Sequence, residues 1–153
     1  MIVTLTPNPS LDRTIAVERL ARGGVHRATS LREDPGGKGV NVSRALAVNG
    51  ADTVAVLPGA GANARHFSAL LDEAGVPHRF VDLDGAIRTN ITVVEDDGTT
   101  TKINEQGRLS AAQDAALMLD AVDAVAAQAD WVVGCGSLPP GLDGALYVEL
   151  VER

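Results

Sequence analysis

Pro35-Gly36-Gly37-Lys38-Gly39-Val40-Asn41 is the stretch of this 153-residue chain richest in residues able to do chemistry. Its clustered glycines let backbone N–H groups crowd against a ligand that any Cβ would repel, and a helix beginning at Val40 adds unpaired amides at the positive end of its dipole. Lys38, inside the turn, supplies a point charge for an anion. Asn41, the first polar residue of the helix, can bridge hydroxyls because its amide both donates and accepts. Upstream, Thr4 to Asp12 reads TLTPNPSLD. Asp12 falls shortly after the C-terminal end of a first strand, the edge at which open α/β sheets bind ligands, and its carboxylate can accept hydrogen bonds from two neighbouring hydroxyls. A phosphate clamp and a polyol acceptor in one chain point to a sugar phosphate.

The glycine turn is neither of the two commoner anion loops. A P-loop needs Ser or Thr after Gly-Lys, where Gly39 stands, and a glycine upstream, where Arg32 stands; the dinucleotide fingerprint needs a small residue in place of Val42. A separate stretch, GAGANA from Gly59 to Ala64, does fit strand–GxGxxA–helix, with Asp82 or Asp84 at the spacing for a ribose contact. A dinucleotide-binding module is therefore an alternative, against which stand Pro58 between strand and glycine and the lack of any role for PGGKGVN. Arg88 offers a planar fork for a second clamp, with Arg27 and Lys102 as further basic candidates. Gly136-Ser137 follows a strand at the ligand edge, so Ser137 can hydrogen-bond a sugar or its phosphate; with no acid or base beside it in sequence, it is not read as a nucleophile. His26, His66 and His78 lack zinc-ligand spacing, and no metal site is expected.

Composition narrows the partners. A net charge of −7 and a pI near 4.8 argue against nucleic acid and against an anionic membrane surface, so an anionic substrate requires a local basic cluster such as Lys38 and Arg88. No apolar run is long enough to span a bilayer, and the N-terminus does not read as a signal peptide. The single Cys135 excludes an internal disulfide, agrees with a cytoplasmic location, and reads as a buried, inert thiol.

β-type and helical runs alternate, the pattern of a mostly parallel sheet between helices. Strands are expected at Ile2 to Leu5, Thr53 to Leu57, His78 to Val81 and, buried, Trp131 to Val133. Helices are expected at Val40 to Val48, Ala64 to Ala74 and from a Ser110 cap to about Gln128, with a last helical pattern from Leu146 to Arg153. Two stretches break the rhythm, Arg13 to Arg32 and Ile87 to Asn104. Thr14 to Val17, Val25 to Leu31, Ile87 to Val94 and Thr99 to Asn104 read as hairpin strands of a small separate sheet.

TLTPNPSLDRT (Thr4 to Thr14), GGKGVNVSRAL (Gly36 to Leu46), the Arg88-Thr89-Asn90 strand start, TKINEQG (Thr101 to Gly107) and GSLPPG (Gly136 to Gly141) together resemble the amino-terminal half of PfkB-type sugar kinases of the ribokinase superfamily, most closely the 1-phosphofructokinase branch. The resemblance implies a ribokinase-like α/β fold with a β-sheet lid over the sugar, its segments at about 13–32 and 87–104, and a homodimer through that lid. It implies substrate binding by Asp12, Gly36, Gly37, Lys38, Gly39, Asn41, Arg88 and Ser137, with Asn104 and Glu105 in a matching segment but without a defined role. It implies ATP-dependent phosphorylation of fructose 1-phosphate, with tagatose 6-phosphate or fructose 6-phosphate as alternative acceptors and a non-catalytic phosphosugar binder as another. ATP and Mg²⁺ are the cofactors implied for the complete enzyme. The GAGD segment carrying the aspartate base of such kinases, and the NxxE segment acting on Mg²⁺–ATP, do not occur in this sequence, so a half enzyme carrying most of the sugar site is expected.

Overall fold

A computed structural model describes residues 1–85, 87–108 and 110–153. In chain order its elements are β1 (Ile2–Leu5), β2 (Ser10–Val17), β3 (Ser30–Gly36), α1 (Lys38–Val48), β4 (Thr53–Pro58), α2 (Gly61–Glu73), β5 (His78–Val81), β6 (Arg88–Glu95), β7 (Thr100–Asn104), α3 (Ala112–Ala126), β8 (Trp131–Gly134) and α4 (Ala145–Glu152). The four apolar runs read as core strands pair in parallel, in the order β5-β4-β1-β8.

Both faces of this sheet are covered, as the continuous apolar strands require. Val3, Leu5 and Val56 face Met118, Leu119 and Val122 of α3 and Leu146 of α4. Ala55 and Leu57 turn the other way, onto Val40 of α1 and Phe67 and Leu71 of α2. Phe67 is fully buried and meets Phe80 edge to face, with ring centroids 6.4 Å apart. Phe67→Ala is expected to cost about 3–5 kcal/mol of stability, seen as a lowered denaturant midpoint. One buried polar chain crosses the apolar layer: Thr4 Oγ1, Ser43 Oγ and Thr53 Oγ1 are linked at 2.8 and 2.9 Å, tying β1, α1 and β4 together just below the glycine turn.

The second sheet runs β3-β2-β6-β7, with β2 and β6 parallel and the outer pairs antiparallel. Two of its strands differ from expectation. β2 begins at Ser10 and not at Thr14, so Asp12 lies inside a strand. The strand expected at Val25 to Leu31 is displaced to Ser30–Gly36. Burial gives Val25 no reason to join a sheet, since it is 94% exposed. The charges of Arg32-Glu33-Asp34 are instead accommodated by pairing: Arg13 stands opposite Glu33 and donates from Nε to its Oε1 at 2.8 Å, while Arg32 Nε donates to Asp34 at 2.7 Å.

Glu33 also bonds His66 Nε2 of α2 at 3.0 Å, which ties the small sheet to the body. The hydrogen bond from Arg13, ahead of that from His66, holds the Glu33 carboxyl below its ordinary value of 4.5. A lowered folded value means that the tie stabilises at pH above 4.5 and is lost as the pH falls through the folded value. Glu33→Gln is therefore expected to lower the melting temperature at neutral pH and to lose its effect in acid; an equal difference in both would exclude the charge as the cause.

Three helix starts shift. α1 begins at Lys38 and not Val40, because Gly37, at φ +119°, turns the chain directly into the helix. α2 takes in Gly61 to Asn63 ahead of the expected Ala64. α3 begins at Ala112 behind an Ala111 cap: the Ser110 N–H bonds Pro140 O at 2.8 Å, and Asp114 accepts the Ala111 N–H at 2.9 Å, so the cap is provided from within the helix. β8 is an edge strand, and Trp131, expected to be buried, is 71% exposed. With Val132, Val148 and Val151 it leaves apolar surface on that flank.

Candidate functional site

Where the C-terminal end of β1, the start of α1, the loop after β8 and the small sheet converge, they enclose a cavity of about 330 Å³. Thr6 and Asn8 come from the segment after β1, Ser10 and Asp12 from β2, Arg88 and Asn90 from β6, Gly37, Lys38 and Asn41 from α1 and its cap, and Gly136 and Ser137 from the loop after β8. A larger hollow of about 560 Å³ lies against Met1, Asp52 and Gly75 at the opposite end of the parallel strands, and none of the candidate residues lines it.

The cavity lining carries both signs of charge. Lys38 stands exposed in the first turn of α1, beside the unpaired amides of that terminus. Arg88 brings a guanidinium from the β6 side; its NH1 donates to Glu105 O, and its buried Nε has no partner among the described residues. Asp12 lines the same cavity, and its Oδ1 accepts from Ser10 Oγ at 2.8 Å and from Asn90 Nδ2 at 2.9 Å. Asn8 donates to Gln106 O at 3.1 Å and to Ser137 Oγ at 3.4 Å, joining the post-β1 segment to two loops. The buried Oγ1 of Thr6 and Oδ1 atoms of Asn8 and Asn90 have no partner among the described residues. Such orphans are costly in an interior and are typical of functional sites.

The glycines divide their labour. Gly37 and Gly136, both at φ +119°, line the cavity. Gly36 and Gly39 make room for protein atoms: a Cβ on Gly36 would overlap the Asp12 carboxylate, and one on Gly39 would overlap Thr6 Oγ1 and sit 2.9 Å from Leu5 O. Behind the Gly136 loop, the Tyr147 hydroxyl donates to Gly136 O at 3.1 Å, and burial pushes this phenol up to about 12, so it remains a donor at neutral pH. Burial likewise pushes the Cys135 thiol up, against a smaller opposing pull from Lys38. A thiol so shifted is a poor nucleophile.

Other candidates lie outside the cavity. Arg27 is on the β2–β3 connection, beside a separate groove with Val17 and Thr29. Lys102 is exposed on β7, opposite Thr92, and Asn104 pairs with Asn90 in register. Glu105 acts on Arg88 and its neighbour, taking the Arg88 NH1 on its carbonyl and the Thr89 N–H on Oε2 at 2.7 Å. Thr6, Asn8, Ser10 and Asn90 are cavity residues that the sequence reading passed over. Ser10 is two residues from Asp12 and Asn90 two from Arg88, so strand periodicity would have found both once β2 and β6 were placed; Asn8 and Thr6 give no such signal.

The GAGANA stretch forms a β4–α2–β5 unit of the right connectivity for a dinucleotide. Its first glycine is closed off, however: Gly59 is buried, and a Cβ there would sit 2.9 Å from Phe80 and 3.0 Å from Ile87. No group of three His, Cys, Asp or Glu among the described residues is placed to hold a metal ion.

The model of the pfkB family carbohydrate kinases matches residues 6–152. Curated relatives include the ATP-dependent 6-phosphofructokinase isozyme 2 of Mycobacterium tuberculosis, 34% identical over 99% of this chain and 45% of its own length, and the 1-phosphofructokinase of Xanthomonas campestris pv. campestris, 38% identical over 97% of this chain and 47% of its own. Among solved structures, phosphofructokinase-2 of Escherichia coli in complex with fructose-6-phosphate superposes with a TM-score of 0.88 at 29% identity, covering 99% of this chain and 50% of that one. The same enzyme is also known in a tetrameric inhibited form. A possible 1-phosphofructokinase of Thermotoga maritima gives a TM-score of 0.87 at 31% identity, with 99% and 49% covered. The chain thus spans about half the length of the relatives it matches.

Proposed function

Since this chain belongs to the PfkB family of carbohydrate kinases, we propose that its cavity is the acceptor-sugar site of an ATP-dependent kinase converting fructose 1-phosphate to fructose 1,6-bisphosphate. The observation that carries this reading is that Lys38 at the α1 N-terminus, Arg88 and the Asp12 carboxylate line one cavity. A phosphate is drawn to the cations Lys38 and Arg88 and to the helix amides, and the sugar hydroxyls to the Asp12 carboxylate. Held at both ends, the acceptor presents its free primary hydroxyl in one orientation, which converts the encounter with the phosphoryl donor into an ordered one.

ATP and Mg²⁺ supply the transferable phosphoryl group and neutralise its charge in this chemistry. The described residues include no cluster fit to hold the metal, and the sequence has neither a GAGD nor an NxxE segment. The part of these residues is therefore to bind, orient and shield the sugar. The 153-residue chain alone is expected to bind without turning over ATP; steady ADP release with fructose 1-phosphate would contradict this division of labour.

Fructose 6-phosphate is the second reading, favoured by the fructose-6-phosphate complex of the E. coli relative; tagatose 6-phosphate is a third acceptor of the same class. Calorimetric titration with the three sugar phosphates tests the choice, and fructose 1-phosphate is expected to bind tightest. A homodimer through the small sheet completes the proposal. Leu31 and Ile103, 56% and 60% exposed, lie on the face of that sheet turned away from Asp12, with Ile15, Ile91 and Val93 between them beside Arg13. Such a sheet, with both edges open, is suited to pairing.

A further inference from the structure

We propose that Asn90, together with Ser10, is the positioning device for Asp12, pinning one carboxylate oxygen so that the other is presented to the hydroxyls of the acceptor. This rests on reading the cavity as a sugar-phosphate site. The parallel register sets Asn90 directly beside Asp12, and Ser10 precedes Asp12 by two residues on the same face of β2. Both donors converge on the same atom, Oδ1, at 2.9 and 2.8 Å.

An ionised carboxylate only accepts, so the Asn90 amide must turn its nitrogen to Asp12 and its oxygen away. That oxygen is buried without a partner among the described residues. A side chain selected for packing alone would not keep such an orphan. The second carboxylate oxygen, Oδ2, accepts no hydrogen bond among the described residues, and it occupies the space that a Cβ on Gly36 would fill. Gly36 thus gives Oδ2 its room, Ser10 and Asn90 fix the carboxylate plane, and one oxygen stays unspent for a ligand. The charged groups around Asp12 leave this arrangement undisturbed: Asp34, its register neighbour on β3, is engaged by Arg32 at 2.7 Å and faces Arg44 at 3.8 Å, while Lys38 of α1 and Arg88 of β6 line the cavity with it.

Asn90→Ala and Asn90→Asp test the role by fructose 1-phosphate titration of the chain, with melting curves as a fold control. Asn90→Ala is expected to weaken binding about tenfold, the loss of one hydrogen bond to a charged group, with melting unchanged. Asn90→Asp is expected to bind poorly at pH 8, where two carboxylates repel, and to regain affinity toward pH 5, where the introduced carboxyl takes a proton and donates to Oδ1 again. Wild type is expected to show no such recovery. Wild-type affinity in Asn90→Ala, or a pH-independent deficit in Asn90→Asp, would overturn the positioning role. A ligand-free readout separates it from the sugar reading: the Asn90 side-chain amide protons should exchange slowly with water in wild type and rapidly in Asp12→Ala. If wild type binds no sugar phosphate, the sugar reading falls; if exchange is equal in the two proteins, the positioning role falls.

Discussion

Replacing Lys38 by alanine is expected to weaken capture of fructose 1-phosphate about ten- to a hundredfold while leaving the fold intact. Lys38 is exposed in the first turn of α1 and makes no hydrogen bond or ion pair among the described residues, so its removal strips no packing from the core. Its lining position beside Gly37 leaves a ligand anion as the partner for its charge. A charge-assisted bond contributes about 1.5–3 kcal/mol, and each 1.4 kcal/mol is about a factor of ten in affinity. The loss should be much smaller for unphosphorylated fructose, which lacks the anion. Titrating both sugars onto both proteins checks the pair of expectations; an unchanged constant for the phosphorylated sugar would remove Lys38 from the site.

Asp12→Ala is expected to have the larger effect, about a hundredfold or more, and to weaken fructose and its phosphate alike. Among the described residues the Asp12 carboxylate is the one acidic group lining the cavity, and two sugar hydroxyls bonded to it contribute about 3 kcal/mol or more together. The substitution also leaves Ser10 Oγ and Asn90 Nδ2 facing empty space in place of their shared acceptor. Those donors then compete for hydroxyl oxygens in the wrong polarity. Asp12→Asn retains the shape but returns only a neutral acceptor, so it should recover part of the loss. Equal losses in the two variants would point to charge alone as the contribution of Asp12, and full recovery in Asp12→Asn would point to shape. Binding constants for the two variants, with melting curves alongside, decide between these.

The parallel sheet was legible because apolar runs bounded by Gly, Asn and Pro are set by burial on both faces. Ile2–Leu5, Thr53–Pro58 and His78–Val81 stand within a residue of where patterning puts them. The small sheet was less so. β3 runs through Arg32, Glu33, Asp34 and Pro35, residues with low strand propensity, and what holds them there is cross-strand charge pairing with Arg13, a contact invisible until the register is known. Trp131 misled for a related reason: an apolar run reads as buried whether its cover comes from the same segment or from elsewhere, and here it lies on an edge strand.

Within the site, residues with unusual chemistry at motif positions could be picked out, and Asp12, Lys38, Asn41, Arg88 and Ser137 converge on one cavity. Gly36 and Gly39 were expected to admit a ligand and instead admit Asp12 and Thr6, a distinction that only three-dimensional neighbours reveal. Asn8 and Asn90 stayed silent in the sequence because a lone asparagine has many uses in loops and strands. Their roles emerge from unpartnered oxygens and converging donors.

The most direct test is an amide NMR titration of this chain with fructose 1-phosphate, with NADH as the competing ligand. The account predicts saturable shifts at the backbone amides of Gly37, Lys38, Asn41, Gly136 and Ser137 and at the side-chain amide of Asn90, all of which line one cavity. NADH should leave Gly59 to Ala64 unmoved, since Gly59 is buried under Phe80 and Ile87. Shifts confined to Gly59 to Ala64 with NADH, and none around Lys38 with the sugar phosphate, would contradict the account.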